Sequence, residues 1–114
     1  MRAADVLPEQ FNVATYFVDR NVAAGRGARP AFVCEDRVLT YADVLDLVNR
    51  TGNALRALGV DMEQRVLMLC LDAPEFIGTF WGAIKIGAVP VPVNTMLRAA
   101  DYRYVLDDSR ARVA

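Results

Sequence analysis

Asp72 and the pair Asn94-Thr95 stand where a ligand could be met, each directly after an apolar run: Val66–Leu71 before the first and Val89–Val93 before the second. If those runs are strands of an open α/β sheet, their carboxyl ends are where such sheets bind ligands. Capping the next element is the plainer use of each. Asp107-Asp108 sets two carboxylates side by side, but neighbours on a helix point apart, so the pair reads as a solvated helix end rather than shared acid–base machinery. Histidine is absent, and Ser109 and Lys85 are the only serine and lysine. A His-based triad, a His proton shuttle and a His metal site are therefore excluded from these residues. Cys34 and Cys70, 36 positions apart, lack the spacing and partners of a zinc site.

The glycines do not make phosphate loops. Gly25-Arg26-Gly27 begins a Gly-x-Gly, but Pro30 takes the third glycine's place and no strand precedes it. Gly82 and Gly87 have P-loop spacing, yet Ala88 stands where the lysine belongs and a helical pattern joins them. Gly78-Thr79-Phe80-Trp81-Gly82 reads instead as a place where a helix packs closely on a neighbour.

The elements that would carry these residues follow from periodicity and caps. Asn12 can cap a helix to about Ala24, with Val13, Tyr16, Phe17 and Val18 as its apolar face, and Gly25-Arg26-Gly27 breaks it. Ala31–Cys34 and Arg37–Leu39 read as a hairpin turning at Glu35-Asp36. Thr40 and Asp43 form a capping pair for a helix whose apolar positions run from Tyr41 to Leu58, and Gly59 ends it. Val66–Leu71 has the unbroken apolar character of a strand buried on both faces. Asp72 with Glu75, and Pro74 in the first turn, would open a helix that is apolar nearly all round, from Phe76 to Ile86. Pro90 and Pro92 remove donors from one side of Val89–Val93, which marks an edge or an irregular junction. A helix over about Ala100–Asp108 then leads to Ala111–Ala114, the apparent opening of another strand. This alternation predicts an α/β doubly wound sheet, incomplete as it stands.

Composition bounds the partners. The 114 residues are 54% hydrophobic and 24% charged, with a net charge of −1. That is globular, and it offers no electrostatic case for nucleic acid. The longest uncharged run, Ile86–Leu97, has twelve residues including two prolines, against about twenty for a membrane span. Charges at Arg2, Asp5 and Glu9, with no apolar stretch behind them, do not read as a signal peptide. Cys34 and Cys70 sit in apolar runs and read as buried free thiols of a reducing compartment, so a cytoplasmic location is expected.

Two stretches resemble adenylate-forming enzymes. Leu39-Thr40-Tyr41-Ala42-Asp43-Val44 is similar to their opening helix, commonly Leu-Thr/Ser-Tyr-x-Glu-Leu. Lys85-Ile86-Gly87-Ala88-Val89-Pro90-Val91-Pro92-Val93-Asn94 resembles their Lys/Arg-x-Gly-Ala-x-x-x-Pro block. Phe11-Asn12-Val13-Ala14, Val48-Asn49-Arg50, Gly52–Val60 and Leu106–Ala111 resemble the benzoate-CoA ligase group in particular. The resemblance implies a partial N-terminal AMP-binding domain over residues 1–114, without an internal boundary, in the large domain of a longer enzyme. Such enzymes use ATP and Mg to turn a carboxylic acid into an acyl-adenylate, releasing pyrophosphate, and then swing in a small C-terminal domain with the CoA thiol.

Their phosphate loop, ribose-binding Asp, hinge and catalytic Lys lie beyond Ala114, so none maps here. The chain is expected to be inactive alone, to need the remainder of its chain, and to be aggregation-prone because its apolar faces lack covering layers. Some relatives place a basic residue near the CoA phosphates two positions after the Asn. Here that position is Met96, and Arg98, two further on, is the candidate, with a plain surface Arg as the alternative. Another acyl-CoA synthetase, a peptide-synthetase adenylation domain and a free-standing α/β interaction module are the other readings.

Overall fold

A computed structural model describes Arg2 and residues 6–114; Asp5, one of the charges noted at the N-terminus, lies outside the described residues. Asn12 caps as expected, its Oδ1 accepting the N–H groups of Ala14 and Thr15 at 3.0 and 3.3 Å. The segment that follows departs from a plain α-helix: Thr15–Asp19 and Val22–Arg26 are π-helical, and Gly25 kinks the second run from within at φ 80°. Its inward face is Ala14 and Val18, whereas Tyr16 and Phe17 stay partly exposed. The other end of Asn12 reaches across the molecule, where Nδ2 donates to the Ile84 carbonyl at 2.8 Å.

Strands β1 (Pro30–Cys34) and β2 (Arg37–Thr40) form the expected antiparallel hairpin, with Glu35 at φ 54° in the turn. Helix α1 (Tyr41–Ala57) begins with a complete capping box. The Asp43 N–H donates to Thr40 Oγ1 at 3.2 Å, and the Thr40 N–H donates to Asp43 Oδ2 at 2.8 Å. The backbone N–H of Thr40, and then its hydroxyl, hold the Asp43 carboxyl below the usual carboxylate range. A carboxyl lowered on folding contributes stability that is present above its unfolded value and lost as pH falls through its folded value. Acidification through the carboxylate range should therefore destabilise the wild-type protein more than Asp43→Asn. Thermal melts across that range check this, and parallel curves would rule it out.

Helix α1 closes at Gly59, φ 85°, with Gly59 N–H bonded to the Arg56 carbonyl at 2.9 Å and Val60 N–H to that of Leu55 at 3.0 Å. This double-bonded turn needs a left-handed residue, which glycine adopts without a Cβ clash. Helix α2 (Pro74–Lys85) ends the same way: Gly87 bonds to Ile84 and Ala88 to Ala83, both at 2.9 Å. The Lys-x-Gly-Ala stretch is thus a helix stop that drops the chain into the next strand.

The start of α2 corrects the sequence reading. Ala73 is its N-cap and Pro74 its first residue, with no side-chain cap bond. Proline lacks an N–H and suits that first position, which leaves Asp72 one place too early to cap. Strand β3 (Arg65–Met68) is shorter than the apolar run, and Leu69 and Leu71 lie open at its end. It pairs in parallel with β4 (Val89–Pro92), Arg65 facing Val89 and Met68 facing Pro92. On its other side Val66 bridges Val113 in parallel, so β3 is central and Ala111–Ala114 does begin to pair. Helix α3 (Ala99–Ser109) runs between β4 and that bridge.

Helix α2 is apolar all round because it serves two cores. Phe76 and Phe80 pack with Leu55, Val60, Val66 and Met68, while Ile77 and Trp81 pack with Val18, Leu39, Val44 and Val48. The two helices touch through glycine. A Cβ on Gly82 would lie 3.1 Å from both the Gly52 nitrogen and the Val48 oxygen, and one on Gly78 would lie 2.7 Å from Leu47 Cγ. The Gly-x-x-x-Gly spacing is therefore a packing device, as expected.

Candidate functional site

Because β3 and β4 are parallel, the residues after each emerge at the same end of the sheet. Asp72, Asn94 and Thr95 consequently line one cleft of about 220 Å³, together with Cys70, Leu71 and Phe76. Asp72 and Phe76 also line an apolar groove of about 240 Å³ against the hairpin, where Phe32, Leu39, Pro74 and Ile77 contribute. The two residue groups singled out from sequence are thus brought together, at the carboxyl end of the sheet, where open α/β sheets in general bind ligands.

Their side chains are not equally free. Asp72 is exposed and caps nothing. Asn94 is engaged: its Oδ1 accepts the Met96 N–H at 2.8 Å, and its carbonyl accepts the Tyr102 hydroxyl at 2.8 Å. That hydroxyl in turn accepts the Leu97 N–H at 3.0 Å, and Asp101 Oδ2 accepts the Arg98 N–H at 3.1 Å. Three successive backbone donors of the turn are therefore satisfied from within. Arg98 sits at the N-cap of α3 with its side chain exposed, lining neither cavity, and no carboxylate among the described residues pairs with it.

Both cysteines are free thiols, half-buried rather than buried. Burial pushes the Cys70 thiol up from its ordinary value, and the carboxylates of Asp72 and then Glu75 push the same way. A protonated thiol is a poor nucleophile, so Cys70 is not activated by its place in the cleft. Asp107 and Asp108 lie exposed on α3, as a solvated helix end should. Among the described residues, no group of three His, Cys, Asp or Glu side chains could hold a metal, and no helix is long and apolar enough to cross a membrane.

Sequence reasoning missed what two residues do. Lys85 Nζ donates to Asp19 Oδ2 at 2.6 Å and to Asn49 Oδ1, tying α2 to the N-terminal segment and to α1. Its partners lie 66 and 36 positions away, beyond any local pattern. Tyr102 was the other; only the helix that carries it was legible, not the turn it reaches back to.

The arrangement is that of a known family. The model of the AMP-binding enzyme family matches residues 19–114, and the chain belongs to that family. It is 50% identical over 103 residues to a 4-hydroxybenzoate–CoA/benzoate–CoA ligase of Rhodopseudomonas palustris, covering 90% of this chain and 19% of that protein. It is 45% identical over 109 residues to a benzoate–CoA ligase of Thauera aromatica, covering 95% of this chain and 21% of that protein. Among solved structures it superposes on the anthranilate CoA ligase AuaEII in complex with anthranoyl-AMP, with a TM-score of 0.90, 38% identity, and coverage of 99% of this chain and 22% of that one. A benzoate CoA ligase from Burkholderia xenovorans LB400 gives a TM-score of 0.84 at 38% identity, over 91% of this chain and 21% of that one. The expected fold, the N-terminal portion of an adenylate-forming enzyme, is therefore the one observed. The chain spans about a fifth of the length of these relatives.

Proposed function

We propose that this chain is the N-terminal part of an ATP-dependent aryl-CoA ligase, which joins benzoate or a substituted benzoate to CoA and releases AMP and pyrophosphate. The observation that carries the reading is the 50% identity to a hydroxybenzoate and benzoate ligase across nine-tenths of the chain. The chemistry requires an activated acid, because a carboxylate oxygen is a poor leaving group and AMP a good one.

Within that enzyme the present residues supply scaffold. Glycines that could have cradled phosphate instead end helices and seat α2 on α1. The only lysine is held by Asp19 and Asn49. These residues do not fit ATP or Mg, which belong to the longer enzyme, as does catalysis. CoA is different: an exposed guanidinium on an internally bonded turn suits a phosphate, and Arg98 is assigned that contact. The enzyme acts in the cytoplasm on a small aromatic acid and needs no nucleic acid.

Benzoate-dependent ATP–pyrophosphate exchange, followed by aroyl-CoA formation, tests the reading. The full-length enzyme should do both and the 114-residue chain neither. Exchange by the short chain would overturn the scaffold assignment. A full-length protein that exchanges with fatty acids and not with benzoates would move it to another acyl-CoA synthetase.

A further inference from the structure

Tyr102 is the least expected feature of the ligand end of the sheet. Its ring belongs to α3, yet its hydroxyl is spent on the turn between β4 and that helix. It donates to the Asn94 carbonyl at 2.8 Å and accepts the Leu97 N–H at 3.0 Å. Asn94 Oδ1 closes the same turn on Met96, and Asp101 closes it on Arg98. The turn joins a strand end facing the cleft to the residue carrying an exposed guanidinium that pairs with no carboxylate among the described residues. With the N–H groups of Met96, Leu97 and Arg98 all engaged inside the turn, the backbone there has no donor to give an anion. What that stretch presents to a phosphate is the Arg98 side chain; Asp101 holds the Arg98 N–H, and the Tyr102 phenol holds the residue before it.

We propose that Tyr102 is a positioning residue for CoA: by clamping Asn94–Leu97 it holds Arg98 where it meets a CoA phosphate. This rests on the aryl-CoA ligase reading. It acts on the second half-reaction alone, since adenylate formation does not involve CoA. An exposed hydroxyl whose loss leaves two backbone groups free to meet water should cost little overall stability. A misplaced guanidinium should be costly for CoA, because charge-assisted contacts depend on geometry.

The test uses Tyr102→Phe, which keeps the ring and removes the clamp, in the full-length enzyme. The expected result is a rise of about tenfold in KM for CoA, the scale of losing a charge-assisted hydrogen bond. Benzoate-dependent ATP–pyrophosphate exchange should stay unchanged. In an Arg98→Ala background the same substitution should add nothing, because the residue acts through the arginine. Hydrogen–deuterium exchange gives a readout independent of turnover: the Leu97 amide should lose protection in Tyr102→Phe.

An unchanged CoA KM, a parallel fall in both half-reactions, persistence of the effect without Arg98, or undiminished Leu97 protection would each overturn the proposal. A wild-type enzyme with no benzoate-dependent exchange overturns the ligase reading, and the clamp's assignment to CoA with it. Wild-type activity with an unaffected Tyr102→Phe variant overturns the clamp alone.

Discussion

Gly82→Val is expected to prise α1 from α2 and to lower the melting temperature by about 5–15 °C. A Cβ at that position would meet the Gly52 nitrogen and the Val48 oxygen at 3.1 Å and Thr51 Cβ at 3.2 Å. Two of the three are backbone atoms inside a helix, so no side-chain rotation relieves the contact. Valine adds two methyl groups beyond that Cβ, and overpacking of a tight core costs about 1–3 kcal/mol, occasionally more. The better helix propensity of the new residue returns less than about 1 kcal/mol. For a cooperative unit of about 100 residues each kcal/mol moves the midpoint by about 4–8 °C. Gly82→Ala, with the same first contact and the larger propensity gain, should fall between the two. Thermal unfolding of both variants decides the matter, and a Gly82→Val protein melting like wild type would refute the close contact.

Lys85→Met should cost about 2 kcal/mol by leaving Asp19 without its partner. The two side chains are 24% and 30% exposed, so solvent can replace only part of what the ammonium gives. Asp19 is already half-satisfied: its Oδ1 is buried with no hydrogen-bond partner, and the contact to Lys85 falls on Oδ2. Methionine keeps the aliphatic stem, so the loss reports the charge rather than the packing. Asp19→Asn in the same protein should recover about 1 kcal/mol, since it removes the stranded charge, and denaturant unfolding of the four proteins closes the cycle. Strict additivity would mean that the pair is not coupled.

Legibility from sequence followed the range of the interaction. Asn12, Thr40 with Asp43, and Gly59 were readable because a cap or stop uses groups within a few residues of itself. The hairpin at Glu35-Asp36 was readable for the same reason; the close packing at Gly78 and Gly82 was readable only as a spacing, and its partners Leu47, Val48 and Gly52 on α1 were not. Asp72 with Glu75 failed by one position: Pro74 took the first place in α2, and a capping pattern says nothing about such a shift. The π-helical runs were not legible, because the apolar spacing of Val13, Tyr16, Phe17 and Val18 marks a helix without fixing its pitch. At the site, Asp72 and Asn94-Thr95 were placed by one topological rule, parallel strands delivering their ends to one side. What Tyr102 and Lys85 do depended on partners outside any local pattern, on a turn in one case and on two other helices in the other, so it shows only in the fold.

The two prolines of β4 have a consequence for how the chain meets copies of itself. Val89 and Val93 turn their N–H groups to β3, bonding Gln64 and Met68 at 2.9 and 3.0 Å. Alternation then sends positions 90 and 92 outward, and both are proline. The outer rim of that strand offers carbonyls without a donor between them. A strand arriving from another molecule would find half a ladder, and stacking by edge addition, the route to fibrils, cannot propagate from there.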